Sequence, residues 1–166
     1  MTSNPPDVRI RRATLADVPA LARHRVGMYH DMGHIPESEE ARLLLASSAY
    51  FRSALEAGEY LAWLAVTSAS AEEVVAGAGL IVRTMIPRPG PEGIIEEREA
   101  QIVNVYTERA WRRRGIAALV MRQLLDYTRA NRINRVSLHA SDDGRPLYES
   151  LGFAPTNEMR LAHPAG

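Results

Sequence analysis

The residues best equipped for chemistry lie between Ala100 and Ala130. A run that reads as a strand, Ala100 to Thr107, gives way to Glu108 to Arg114 and then to Gly115-Ile116-Ala117. These three open a helix that places Ile116, Leu119, Val120, Leu124 and Tyr127 on one face. The first turn of a helix has unpaired N–H donors and carries about half a positive charge. Glycine and alanine there let an anion approach the backbone, and Arg112, Arg113 and Arg114 add cationic side chains. A diphosphate is the natural ligand of such a cradle. The competing reading, a solvated basic turn or a nucleic-acid patch, does not account for Gly115 and Ala117 standing in register at a helix start.

Elimination narrows the chemistry further. All 20 cationic side chains are arginine, and the chain has neither lysine nor cysteine. A Walker A phosphate loop, a lysine Schiff base and a pyridoxal enzyme of the usual kind each need a lysine amine. Thiol nucleophiles, cysteine zinc sites and an acyl-cysteine intermediate need a thiol. A diphosphate-bearing cofactor therefore suits the cradle better than a nucleoside triphosphate undergoing hydrolysis. The segment Tyr148-Glu149-Ser150-Leu151-Gly152 lacks the first glycine of a nucleophile elbow, so serine hydrolysis is not expected. His30 and His34 have the spacing of metal ligands, but Gly33 argues against a helix there and no metal site is expected. Asp142 and Asp143 precede a short helical stretch and read as capping residues rather than paired catalytic carboxylates.

The same residues resemble the GNAT acyl-CoA N-acetyltransferases, of the bacterial type that acts on small molecules or peptides. Arg112-Arg113-Arg114-Gly115-Ile116-Ala117 fits that family's Q/R-x-x-G-x-G/A signature, and Leu147-Tyr148-Glu149-Ser150-Leu151-Gly152-Phe153 is similar to its L-Y-x-x-x-G-F segment. The opening Ile10 to Asp17 also resembles the family's N-terminus, so the likeness runs from Val8 to Leu161. It implies acetyl-CoA as cofactor and transfer of its acetyl group to a primary amine in a ternary complex, with no acyl-enzyme. By resemblance, Val103, Asn104, Val105, Tyr106 and Thr107 line the pantetheine arm and thioester. Arg112 to Ala117 hold the diphosphate, Ser141 and Arg145 flank the cofactor, and Tyr148 is the general acid that protonates the departing thiolate. An amide of the Asn104 to Tyr106 stretch would steady the oxyanion.

Two positions depart from the family's pattern. Ser141 stands where many members carry an asparagine, and Gln101 stands where some carry the catalytic carboxylate. The base is therefore open among Glu99, Glu97, His139 and water. Tyr29, His30, Asp31 and Met32, together with Gln101, are the candidate lining of an acceptor pocket, with a plain loop as the alternative for the first four. Two rival functions keep the cradle: a non-catalytic acyl-CoA sensor, and an RNA-associated protein using its arginines, whose signature is salt-dependent binding.

The elements that must position these groups follow from pattern. Val8 to Ala13 reads as a strand. A helix follows from Thr14 to about Tyr29, with Thr14 as its cap, then a loop from Met28 to Pro36, and a second helix from Glu37 to Leu55 that ends at Gly58. Tyr60 to Thr67 and Val74 to Met85 form a hairpin, and the prolines and glycines from Pro87 to Gly93 mark an irregular surface loop. After the helix that ends near Ala130 come a strand over Val136 to Ala140, a short helix from Asp142 to Leu151 and a last strand from Glu158 to Ala162. Together with the resemblance, this predicts a mixed α/β fold: a mostly antiparallel sheet of six or seven strands, splayed between Ala100–Thr107 and Arg135–Ala140 and flanked by helices. A flexible lead over residues 1–7 and a single domain over 8–166 complete the expected organisation.

At 166 residues the chain is long enough for one self-sufficient core. Equal numbers of basic and acidic side chains, 20 each, remove the field of a general nucleic-acid binder. The longest apolar stretch, Val74 to Val82, is far short of the roughly 20 residues that span a bilayer, and Met1 to Pro6 has no signal-peptide pattern. A cytoplasmic protein with no membrane or nucleic-acid partner is expected. Homodimers are common in the resembled family.

Overall fold

The computed structural model describes residues 7–161. Residues 1–6 of the expected lead over 1–7, and the end of the expected last strand at Ala162, lie outside them. Strand β1 (Val8–Arg12) is followed by a 3₁₀ turn at Leu15–Asp17, then α1 (Val18–Asp31) and α2 (Glu37–Glu56). Strands β2 (Tyr60–Thr67) and β3 (Val74–Thr84), the short β4 (Arg88–Gly90) and β5 (Gly93–Ile95), and β6 (Arg98–Thr107) come next. The chain continues through α3 (Ile116–Ala130), β7 (Arg135–Leu138) and α4 (Arg145–Ser150).

Five strands form the main sheet in the order β1-β2-β3-β6-β7, antiparallel except for the parallel pair β6 and β7. The fold is the mixed, mostly antiparallel α/β layer that the sequence predicts, with fewer strands in the main sheet. Two segments account for the difference. Arg88–Gly90 pairs with Gly93–Ile95 as a separate ribbon where an irregular loop was expected. Pro89 and Gly90 are tolerated because a two-stranded ribbon is all edge, and a proline there forfeits no ladder bond it needs. Residues 158–161 form no strand, and Met159 and Leu161 lie exposed rather than packed.

The helices sandwich the sheet. On one face α3 and α4 pack over Ala100, Ile102, Leu80 and Trp63 through Ile116, Val120, Met121, Leu124 and Tyr148. On the other, α1 and α2 bury Val18, Leu21, Phe51 and Ala54 against Tyr60, Leu64 and Val66. Each large apolar side chain so buried contributes about 1.5–3 kcal/mol. The α1 start is built around Asp17, whose carboxylate accepts from the Thr14 N–H at 2.7 Å, the Thr14 hydroxyl at 3.1 Å and both terminal nitrogens of Arg11 at 2.8 Å. Helix α1 continues to Asp31, past the expected stop at Tyr29, so the inter-helix loop is short.

Two irregularities in β6 shape the working end. Gly77 pairs with Tyr106 but Gly79 pairs with Val103, so β6 carries one extra residue, and Asn104 takes φ 57° within it. Such a bulge bends the strand and re-aims its groups. Asparagine tolerates this backbone, and here Asn104 Nδ2 also donates to the Leu21 carbonyl at 3.2 Å, tying the bulge to α1. The second irregularity is the split: β6 pairs with β7 only from Glu99 to Ile102, against Arg135 to Leu138. Val103 to Thr107 therefore present a strand edge that β7 does not cover.

Candidate functional site

The uncovered edge of β6 leads directly into the arginine-rich loop. A 3₁₀ turn at Arg109–Trp111 follows the strand, then Arg113 takes φ 63° and Gly115, the residue before α3, takes φ 75°. Positive φ at both positions curves the backbone, the geometry of an anion-binding concavity. A Cβ at Gly115 would point into open space, with no protein atom within 4 Å. The first turn of α3 holds no acidic residue and its N-cap makes no side-chain hydrogen bond. No capping side chain occupies this helix start, and its open backbone donors fit a coenzyme A diphosphate.

Two of the three signature arginines, Arg112 and Arg114, have defined partners. Arg112 Nε donates to the Thr107 carbonyl at 2.9 Å, its plane lies over the Tyr106 ring at 5.4 Å, and its Nη2 pairs with Asp31. Arg114 stacks on Trp111 at 5.0 Å and donates to the Ala110 carbonyl at 3.0 Å. Arg109, a residue the sequence reading passed over, joins Arg112 on Asp31, with Nε 2.9 Å from Oδ1. Its place three residues before Arg112, within one tight turn, was the available signal. These arginines hold the Asp31 carboxyl below the ordinary carboxylate range, outweighing the partial burial that opposes them. Asp31 thus pairs with two arginines of this loop and its approach.

Tyr148 lies in α4 on the α3 face of the sheet, buried, with its ring edge-on to Phe153 at a centroid distance of 6.2 Å. Burial alone pushes its phenol above the usual value, so it is protonated at neutral pH. Ser141, expected beside the cofactor arm, accepts from the Gly144 N–H with its hydroxyl at 3.2 Å and from the Arg145 N–H with its carbonyl at 3.0 Å. Ser141 thus forms the turn that starts α4, a role the sequence assigned to Asp142 and Asp143. A side-chain oxygen two bonds from the backbone reaches the turn N–H that the aspartates, one and two residues later, do not. Arg145 is exposed on the first turn of α4.

The candidate bases separate. Glu99 sits where β3, β6 and β7 are still paired, and Arg83 holds it at 2.7 Å. Glu97 is engaged by Arg88 at 3.2 Å. Gln101 and His139 meet at the last rungs before the split, Nε2 to Nδ1 at 3.2 Å, and Arg160 lies 2.7 Å from the other ring nitrogen of His139.

On the opposite side of β6 a cavity of about 510 Å³ opens between α1 and α2, lined by Arg23, Val26, Gly27, His30, Glu40, Ala41, Leu44, Tyr106 and Glu108. Of the expected acceptor residues, only His30 lines it, paired with Glu40 at 2.5 Å. Tyr29 instead accepts from Arg25 at 3.0 Å, and Met32 caps the end of α1. Tyr106 passes beneath Gly27, where any Cβ would meet its hydroxyl at 2.7 Å, so glycine is needed for helix and strand to approach. Behind this wall His24 is fully buried with its ring 5.2 Å from that of Tyr106 and Nε2 3.4 Å from Glu108. Burial, then the charge of Arg23, push its imidazole down to about 4. Helical periodicity placed His24 on α1 but could not show which groups would enclose it. Among the described residues no three histidine or acidic side chains group as a metal site. No described helix is long and apolar enough to cross a membrane.

Comparisons with known proteins agree with this architecture. The model of the acetyltransferase (GNAT) family matches residues 26–153. Glucosamine 6-phosphate N-acetyltransferase 1 of Oryza sativa subsp. japonica is 27% identical over 150 residues, covering 90% of this chain and 82% of that protein. Among solved structures, a GCN5-related N-acetyltransferase from Ralstonia eutropha JMP134 superposes with a TM-score of 0.77 at 26% identity, covering 94% of this chain and 98% of that one. A predicted acetyltransferase with acetyl-CoA from Clostridium acetobutylicum gives a TM-score of 0.75 at 25% identity, covering 94% of this chain and 96% of that one. With the signature loop, the bulged strand and the split beside it all in place, the chain belongs to the GNAT acetyltransferase family, whose cofactor is acetyl-CoA.

Proposed function

We propose that the protein transfers the acetyl group of acetyl-CoA directly to a primary amine within a ternary complex. The observation that carries this reading is the β6–β7 split, which runs from an anion-ready helix start at Gly115 along an uncovered strand edge with a protonated Tyr148 packed nearby on α4. When bound, acetyl-CoA supplies an acetyl thioester and a thiolate leaving group. The N–H groups of Ile116 and Ala117 hold its diphosphate, and the free edge of Val103 to Thr107 aligns the pantetheine arm. Beyond the bulge at Asn104, a backbone N–H of the Asn104 to Tyr106 stretch steadies the oxyanion as the amine attacks. Tyr148, kept protonated by burial, then donates its phenolic proton to the thiolate as the C–S bond breaks and regains a proton from water. A chain without cysteine needs no acyl-enzyme to complete the cycle.

The acceptor enters through the cavity between α1 and α2, whose polar lining pairs Glu40 with His30 and Glu108 with Arg23 and whose Tyr106 is shared with the cofactor strand. Its proton leaves through water. This assignment rests on Glu99 being engaged by Arg83 and on His139 lying against the Arg160 guanidinium. The test is release of free coenzyme A from acetyl-CoA across a panel of amines: amino acids, polyamines, peptides with free N-termini and glucosamine 6-phosphate. Acetyl-CoA binding with no release on any amine would favour a non-catalytic acyl-CoA sensor instead. An altered pH profile of turnover in Glu99→Gln or His139→Gln would replace water by that residue as the base.

A further inference from the structure

Asp31 occupies an unusual place. An acidic side chain in the last turn of a helix faces the negative end of the helix dipole, so it does not serve α1. It serves the signature loop. Oδ1 accepts from Arg109 Nε at 2.9 Å and from its Nη2, and Oδ2 accepts from Arg112 Nη2. The Tyr106 hydroxyl lies 3.5 Å from the same Oδ2, and the Arg112 guanidinium covers the Tyr106 ring. Arg112 in turn donates through Nε to the carbonyl of Thr107, the last residue of β6. One carboxylate therefore ties the end of the acceptor-side helix, the end of the cofactor strand and the turn that precedes Arg113 and Gly115.

We propose that Asp31 is a positioning residue for the cofactor cradle, orienting Arg109 and Arg112 so that the loop from Arg112 to Gly115 is preformed for a diphosphate. The proposal rests on the reading of this loop as the acetyl-CoA site. The strained backbone gives it physical content. Arg113, a residue with a side chain, is held at φ 63°, a conformation that persists only when the surroundings over-determine it. The Asp31 clamp, which grips Arg112 directly beside Arg113 and Arg109 in the turn before it, is such a surrounding. Removing the carboxylate frees the loop to relax, and binding then has to supply the ordering that the clamp now provides.

An opposite effect is built into the same variant. Asp31→Asn also removes a negative charge near the diphosphate, which by itself would tighten binding. Salt separates the two, because screening shortens to about 3 Å at 1 M and suppresses the longer-range charge effect far more than the direct contacts of the partly buried Asp31 carboxylate. The experiment is calorimetric binding of free coenzyme A, at low salt and at high salt, to wild type, Asp31→Asn and Asp31→Glu, with acetyl-transfer kinetics alongside. We expect Asp31→Asn at high salt to bind coenzyme A about 5- to 10-fold more weakly and to raise KM for acetyl-CoA in proportion with kcat within about twofold; these fold-changes correspond to the loss of one oriented charge-assisted contact. Asp31→Glu should recover most of the loss. Equal or tighter binding by Asp31→Asn at high salt overturns the proposal, as does a rise in KM for the amine alone. Should Asp31→Asn fold poorly, Arg109→Gln read at high salt alone tests the clamp from the other partner, since at low salt its lost positive charge weakens binding by itself; unchanged binding at high salt overturns the proposal. If wild type binds coenzyme A but transfers acetyl to no amine, the enzymatic reading fails while the binding arm still decides the role of Asp31. If wild type binds no coenzyme A, both fail.

Discussion

Tyr148 owes its proposed role to burial alone: with no charged neighbour acting on it, its phenol stays protonated across the neutral range. Replacing it by phenylalanine keeps the packing against Phe153 and removes only the hydroxyl that carries the proton. Tyr148→Phe should therefore lower kcat by about 10²-fold, the low end for a lost general acid, with acetyl-CoA binding retained. Steady-state turnover beside calorimetric binding checks this, and intact turnover would remove Tyr148 from the mechanism. His24 makes a prediction of a different kind. Its imidazole titrates near 4 in the folded chain against 6.5 ordinarily, so the unfolded chain binds the extra proton between those values. Stability is then full above about pH 6.5 and falls as pH drops toward 4, by about 3 kcal/mol if the whole shift is expressed. Urea unfolding at pH 7.5, 5.5 and 4.5 measures the slope, and His24→Leu should flatten it. Both residues stood in plain view in the sequence. Tyr148 was legible as a candidate because Gly152 and Phe153 follow it at a recognisable spacing, whereas nothing local marks His24, whose enclosure by Gly77, Tyr106 and Glu108 joins three separated segments.

Among the elements, the loop between β6 and α3 was the most legible, since a strand, a glycine and an apolar helical stripe meet there in sequence order. Its strain was not, because a run of arginines gives no sign that Arg113 must adopt φ 63°. Arg113→Gly should relieve that strain and raise stability by about 1 kcal/mol. It should also weaken coenzyme A binding at low salt, where the lost guanidinium counts most. Thermal unfolding together with binding at two salt concentrations would show whether the two effects part in this way. Gly115→Glu, with a side chain entering the open cradle and a backbone at φ 75°, should abolish coenzyme A binding. Ser141, read as a cofactor contact, forms the turn that starts α4. Ser141→Ala should accordingly cost about 1 kcal/mol of stability, read as a shift of the urea midpoint, and disturb the setting of Tyr148. The β4–β5 ribbon was missed because proline and glycine argue against strands in general, while an isolated two-stranded ribbon is lenient toward both.

For the molecule as a whole, the donors at the α3 start and the free edge of β6 belong only to the folded state, so a ligand that uses them must stabilise it. Acetyl-CoA at about a hundredfold over its Kd should add about 2.7 kcal/mol and raise Tm by roughly 5–10 °C, more than adenosine diphosphate does. Equal shifts with both would mean that the strand edge contributes nothing and that only the phosphate loop binds. The sequence by itself determined the order of elements, the two faces of apolar residues, the anion-ready helix start and the exclusion of lysine and thiol chemistry, because each depends on residue type and local spacing. Only the tertiary structure decided that Asp31 serves the signature loop, that Glu99 is spent on Arg83, that Glu40 and Glu108 share a cavity, and that β6 parts from β7 after Ile102. Those facts join residues up to 81 positions apart, as Asp31 and Arg112 are. Charge pairing and strand register over such separations follow from how the chain packs, and no local pattern encodes them.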